Sequence, residues 1–251
     1  SISISKTTEN LESSNVVAVL PGTDKKEEYL MLTGHYDHLG KRGDVIYYGA
    51  DDDGSGTVSV MQMAEAFSTA AKKGFKPRRT IVFMTVSGEE KGLWGSDYYS
   101  EHPLFPLDKT TADLNTDMVG RVDTERHLGD TLNYVYVIGH DKLSSDLVVI
   151  NEAANKASSN ITLDYKYDDP NDKNRIYYRS DHYNFAKKGV PVLFFYDGML
   201  LADYHQPSDT IEKINFDLMQ KRVSMVFHTA CEIAQRDDML KRDIPLNMPA
   251  R

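Results

Sequence analysis

Cysteine is almost absent from this sequence. A single one, Cys231, stands among 251 residues. A disulfide within the chain is therefore impossible, and so is a cysteine-rich zinc site. Any metal must be held by His, Asp and Glu. Long hydrophobic runs are missing too, since none approaches the roughly 18 apolar residues of a membrane span. Cations are in deficit: Lys plus Arg total 29 against 38 Asp plus Glu, for a formal charge of −9. That argues against nucleic acid or an anionic membrane as main partner, because counterion release needs clustered cations. The opening Ser-Ile-Ser-Ile-Ser lacks the charged and apolar regions of a signal peptide. Either the protein is cytoplasmic, or the sequence begins after a removed segment of which residues 1–14 are the edge.

What is present suits a folded globular chain. Hydrophobic residues make up 40% and charged residues 27%, so disorder is not the dominant state. The length buries a large core without help from disulfides. Strand-like and helix-like stretches alternate. Val16–Leu20, Tyr29–Thr33, Thr80–Val86, Thr111–Met118, Tyr134–Ile138 and Pro191–Tyr196 read as strands. Ser55–Lys73 reads as a helix, with Val60, Met63, Ala64, Phe67, Ala70 and Ala71 on one face. Further helices are expected over Gly92–Ser100, Leu143–Ala157 and Asp181–Lys188. Met219, Val223, Val226, Ala230 and Ile233 mark a long last one. The polar stretch Asp164–Arg179 reads as a surface excursion. This alternation predicts one α/β domain over 1–251, a sheet with helices on both faces.

Five clusters of chemistry-bearing residues sit near the expected strand ends, where open α/β sheets bind ligands. In Gly34-His35-Tyr36-Asp37-His38, His35 and Asp37 are two apart and share a direction in extended chain. Asp37 can equally orient the His35 ring. Gly49-Ala50-Asp51-Asp52-Asp53-Gly54-Ser55-Gly56 opens the long helix. Helix capping accounts for one or two of its acids and poorly for three. A cation would relieve their repulsion. Glu89 and Glu90 follow the most apolar strand and diverge in direction, so one can ligate while the other handles a proton. Asp117 ends an apolar strand, where an unpartnered carboxylate is costly. His205 lies in Tyr204-His205-Gln206-Pro207-Ser208-Asp209-Thr210, before the last helix. Mixed N/O donors suit zinc, and a shared carboxylate suits a two-metal site.

The stretches GHYDHLG, GADDDGSG, SGEEKGLWGS, NTDMVGR, RSDHYNFAKKGVPVLFF and DYHQPSDT run from Gly34 to Thr210. In content and order this set resembles the co-catalytic zinc aminopeptidases, the family of aminopeptidase Y and the bacterial leucyl aminopeptidases. The resemblance implies a three-layer α/β/α sandwich with a central mixed, mostly parallel sheet. It implies two Zn²⁺ per chain, one held by His35 and Asp117 and the other by Glu90 and His205. Asp52 would bridge them, with an unusual cis peptide after it. Glu89 would be the general base and Asp37 the orienter of His35. The implied activity is hydrolysis of N-terminal residues from peptides with a free N-terminus, and the implied location is secreted or periplasmic.

Arg179, Asp181, His182 and Tyr178 are candidates to line the substrate site, along with Ser180, Tyr177 and Tyr183. His38 reads as support beside the site. His102, His127, His140 and His228 read as structural or surface residues. Three other functions are compatible with the motifs. A single-zinc glutaminyl cyclase is disfavoured by the intact DDDGSG and DYHQPSDT stretches. A carboxypeptidase or dipeptidase needs a cation for the substrate carboxylate, from Arg121, Arg175 or Arg179. A non-catalytic receptor-like domain is expected to have lost ligands, and this chain keeps them. The sequence leaves oligomeric state open.

Overall fold

A computed structural model describes residues 2–8, 10–127 and 129–248. Ser1 and Glu9 of the opening segment, and Leu128 and residues 249–251 of the expected domain, lie outside the described residues.

The centre is a seven-stranded sheet in the order β1-β5-β2-β6-β9-β7-β8. Its strands are β1 (Val16–Leu20), β2 (Lys25–His35), β5 (Arg79–Val86), β6 (Thr110–Thr116), β7 (Tyr134–Ile138), β8 (Thr162–Asp164) and β9 (Val192–Tyr196). The neighbours β5, β2, β6 and β9 are parallel. β1 pairs antiparallel with β5, and β7 antiparallel with β9. A separate hairpin joins β3 (Gly40–Arg42) and β4 (Val45–Tyr47).

The layers follow from strand alternation. Leu30 and Leu32 of β2, Ile81 and Phe83 of β5, and Leu193 and Phe195 of β9 enter one core. Met31, Val82, Met84, Phe194 and Tyr196, their neighbours along the same strands, enter another. The first core is closed by α1 (Gly56–Lys72), α3 (Asp146–Ala157) and α5 (Phe216–Gln235), through Val60, Met63, Leu147, Met219 and Val226. The second is closed by α2 (Trp94–Glu101) and α4 (His182–Lys187), through Tyr99, Tyr183 and Phe185. Each such side chain contributes about 1.5–3 kcal/mol on full burial. The molecule is the α/β/α sandwich with a mixed, mostly parallel sheet that the resemblance implied.

Two expectations need correction. The stretch 164–179 is not a plain surface excursion, because Tyr167, Asp168, Ile176, Tyr177 and Tyr178 are buried. Its polar composition concealed an aromatic inner side that packs on Tyr136 and Tyr183. β2 also begins at Lys25, ahead of the expected Tyr29, because its exposed first half alternates no apolar residues. The sheet runs four parallel strands to a common end, and there the motif loops meet.

Candidate metal centre

His35 is the last residue of β2 and Asp117 follows β6 directly. Asp52 lies in the irregular turn Ala50–Ser55 that leads into α1. Together they form one group: His35 Nε2 is 3.3 Å from Asp52 Oδ1 and 3.6 Å from Asp117 Oδ1. Across Asp52 a second group forms. His205 Nε2 is 3.2 Å from Asp52 Oδ2 and 2.9 Å from Glu90 Oε2. Zinc bonds of about 2.0–2.1 Å in a tetrahedron separate neighbouring donors by roughly 3.3 Å. The two groups have that spacing and share one carboxylate. His35 Nε2, Asp52 Oδ2 and Glu90 Oε1 are buried with no hydrogen-bond partner among the described residues. Buried donors without partners, converging on two points, fit two cations.

The local chain explains why one of three aspartates faces the centre. Asp51 turns away and accepts the N–H of Gly120 at 2.8 Å. Asp53 turns the other way and accepts the N–H groups of His35 at 3.0 Å, Gly56 at 2.8 Å and Met118 at 3.1 Å. Asp53 thereby ties three ligand-bearing segments together. Gly56 permits this approach, since a Cβ there would stand 2.1 Å from the Thr116 carbonyl oxygen. The Asp52–Asp53 peptide is cis.

Supporting contacts complete the shell. Ser180 donates to Asp117 Oδ2 at 2.6 Å and accepts from Asn115 at 2.8 Å. His35 Nδ1 is 2.9 Å from the backbone carbonyl of Asp37 and 3.8 Å from its carboxylate. The Asp37 carboxylate instead accepts the N–H of Glu89 at 3.2 Å and of Glu90 at 3.4 Å. The carboxylate therefore holds the glutamate turn, while the backbone carbonyl of Asp37 faces the imidazole. His205 sits at φ 57°, which turns its ring inward and costs about 1–3 kcal/mol of backbone strain.

The electrostatics match a cation site. Burial disfavours charge on His205, yet Asp52 and Glu90 hold its pKa up at about 9. Glu89 reaches to 4.0 Å from His35 Nε2 without joining either group. Burial, helped by the charges of Asp117, Asp181 and Asp52 against that of His35, pushes the Glu89 carboxyl well above its ordinary range. A carboxyl raised in this way holds a proton more readily than a free one, as a proton-transferring group must.

A cavity opens beside Asp52, Glu89 and Asp117. Its walls are Met118, Ile176, Phe194, Tyr196, Leu200 and Tyr204. Of the four candidate substrate residues, Arg179 lines it and donates to the Tyr204 hydroxyl at 3.0 Å. Asp181 is wholly buried and accepts from Ser96 at 2.5 Å. Burial pushes its carboxyl up to about 7. His182 is also wholly buried, stacked on Phe194 with its pKa driven down to about 3 by burial. Tyr178 is buried under the Arg175 guanidinium, 4.7 Å from the ring. Tyr204, which opens the motif of His205 and is not among the expected substrate residues, also lines the cavity. Its ring stacks on that histidine with centroids 3.8 Å apart.

The family model for peptidase family M28 matches residues 15–230. A probable leucine aminopeptidase of Trichophyton verrucosum (strain HKI 0517) is 28% identical over 225 residues, covering 88% of this chain and 57% of the relative. The chain thus spans about half the length of the curated relatives it matches. Among solved structures, a zinc aminopeptidase from Bacillus subtilis aligns with a TM-score of 0.68 at 23% identity, over 92% of this chain and 53% of that one. An Acidobacteriales bacterium glutaminyl cyclase aligns with a TM-score of 0.57 at 22% identity, over 86% and 71%. Those two likenesses show the fold. With matching motifs along most of its length and two donor groups joined at Asp52, the chain belongs to peptidase family M28.

Proposed function

We propose that the chain is the catalytic domain of a zinc-dependent aminopeptidase that removes N-terminal residues from peptides. One observation carries the reading: the two donor groups share Asp52 and have the carboxylate of Glu89 at their edge. His35 and Asp117 would hold one Zn²⁺, Glu90 and His205 the other, with Asp52 between them. Bound there, the pair would polarise the scissile carbonyl and make a water acidic. Glu89 takes the proton of the attacking water and delivers it to the leaving amine. Asp37 fixes the turn that carries Glu89. Tyr204 and Arg179 stand at the cavity wall, where they bind and orient the substrate. The apolar walls of Met118, Ile176, Phe194 and Leu200 favour an apolar N-terminal side chain.

Arg179 also supports a second reading. Arg121 is engaged by Asp203 at 2.7 Å, so among the arginines considered Arg179 is the one that lines the cavity. A guanidinium there can receive a substrate carboxylate, as a carboxypeptidase or dipeptidase requires. A panel of aminoacyl-p-nitroanilides, free peptides and N-blocked peptides tests both readings, with chelator and zinc add-back. The aminopeptidase predicts chelator-sensitive cleavage that N-blocking abolishes. Cleavage of N-blocked peptides would favour the carboxypeptidase. Cyclisation of an N-terminal glutamine without peptide hydrolysis would favour the cyclase. No chelator-sensitive turnover of any substrate would reject all three.

We propose an exported enzyme, as the family resemblance implies. Among the described residues, no helix is long and apolar enough to cross a membrane. Activity found only in the cytoplasmic fraction of the source cells would overturn the exported location.

A further inference from the structure

We infer that His38 is a direct ligand of the second cation, a third imidazole beyond His35 and His205. The inference rests on the two-cation reading above and deepens it. His38 lies just past β2, and its side chain is 9% exposed. Its Nδ1 is 2.8 Å from Glu90 Oε1 and 3.8 Å from Asp52 Oδ2. His205 approaches the same two carboxylates from the other side, at Glu90 Oε2 and Asp52 Oδ2. The two imidazoles thus flank Glu90 with ring centroids 5.8 Å apart. His38, Asp52 and Glu90 form a compact donor group in their own right, within 4.8 Å of one another.

A histidine that merely steadied Glu90 would donate a hydrogen bond to it. His38 Nδ1 comes to 2.8 Å from Oε1 without hydrogen-bond alignment, and Nε2 is buried with no partner among the described residues. Nitrogen and oxygen face each other as two donors around a common point do. The chain also clears space for the ring. Gly49, at φ 61°, lies so close that a Cβ would stand 2.5 Å from His38 Cγ. The glycine opening the aspartate motif is therefore matched to the last histidine of GHYDH. The consequence is unequal sites. The first cation has one imidazole and two carboxylates, the second two imidazoles and two carboxylates. Imidazole favours zinc and cobalt over harder ions, so the second site is the tighter for these metals.

The test uses the chain stripped of metal and titrated with Co²⁺ and Zn²⁺, for wild type, His38→Ala and His38→Asn. Visible absorption of Co²⁺ reports its coordination, and a competing chelator dye reports affinity. Circular dichroism of each metal-free variant confirms folding. We expect wild type to bind two equivalents of unequal affinity. In both variants the tighter equivalent should weaken by about tenfold or more, while the weaker one keeps its affinity. The cobalt spectrum of that tighter equivalent should change. If both equivalents keep wild-type affinity and spectrum, or weaken in parallel with an unchanged spectrum, His38 is not a ligand. A wild-type chain that takes up fewer than two equivalents would overturn the two-cation reading itself.

Discussion

The carboxylate of Asp209 accepts the backbone N–H of Asp52 at 3.1 Å, across 157 residues of chain. It also accepts the N–H of Asp51, at 3.1 and 3.2 Å from its two oxygens. The loop that carries His205 therefore holds the backbone of the shared carboxylate. Arg121 stands behind it, 3.9 Å from Asp209 and bonded to Asp203 at 2.7 Å. A charged acceptor of backbone N–H groups contributes about 1.5–3 kcal/mol. Asp209→Ala should loosen Asp52 and with it both cations. We expect faster loss of zinc on dialysis against chelator, by about tenfold or more, and lower turnover restored by excess zinc. Unchanged zinc retention would refute the coupling.

Glu89→Gln keeps the shape of the turn and its N–H contact to Asp37, but cannot accept a proton. Turnover should fall by at least about 10²-fold. Metal analysis should still find the cations, since Glu89 stands outside both donor groups. A variant that kept most of its activity would remove Glu89 from its role.

Asp113 gives a pH prediction away from the metal centre. It is fully buried on β6, where it accepts from Thr33 at 2.8 Å, and burial pushes its carboxyl up to about 8. The folded state thus keeps a proton that the unfolded chain releases near pH 4. Stability from this group is full below about pH 4 and is lost as pH rises toward 8. Asp113→Asn removes the titration. Melting temperature measured from pH 5 to 9 should fall more steeply in wild type than in the variant. Parallel profiles would contradict the assignment.

His182 works in the opposite pH direction. Burial holds its pKa at about 3, so the folded state refuses a proton that the unfolded chain takes up near 6.5. Stability is full above that value and declines as pH falls toward 3. His182→Leu should flatten the acid limb of the melting profile between pH 6 and 4. Steeper acid loss in the variant would reverse the argument.

Tyr204 separates two effects. Tyr204→Phe removes the hydroxyl that accepts from Arg179 but keeps the ring stacked on His205. One such bond is worth about 1 kcal/mol, or roughly fivefold in rate. Tyr204→Ala also frees the His205 ring and should cost zinc affinity. Equal zinc affinity in both variants would show that the stack does not hold the histidine.

Sequence patterning reported the sheet well, because one side of each strand must enter one core and the other side the second. The β-branched and aromatic strands β5, β7 and β9 could be read for that reason. So could the helices α1 and α5, whose apolar faces recur at helical spacing. Where burial did not follow from apolar residues, reading failed. The buried tyrosines of 164–179 lay among aspartates and asparagines, and the β3–β4 hairpin has no inner face to betray it.

The centre divides in the same way. Donor types and their order along the chain were set by residue chemistry: without usable cysteine, only His and carboxylates remained, and they stood in loops after strands. Those motifs, with their resemblance, single out His35, Asp52, Glu90, Asp117 and His205. Residue chemistry alone did not single out Asp52 among three consecutive aspartates; the resemblance did, and the structure supplies the physical reason. It lies in the N–H groups of His35, Gly56, Met118 and Gly120, which engage Asp53 and Asp51 and leave Asp52 free to turn to the donors. The approach of His38 to Glu90, the grip of Asp209 on Asp52 and the stack of Tyr204 on His205 depend equally on distance in space. A local pattern records which side of an element is buried. Only the closing of parallel strands at a common end decides which loops meet.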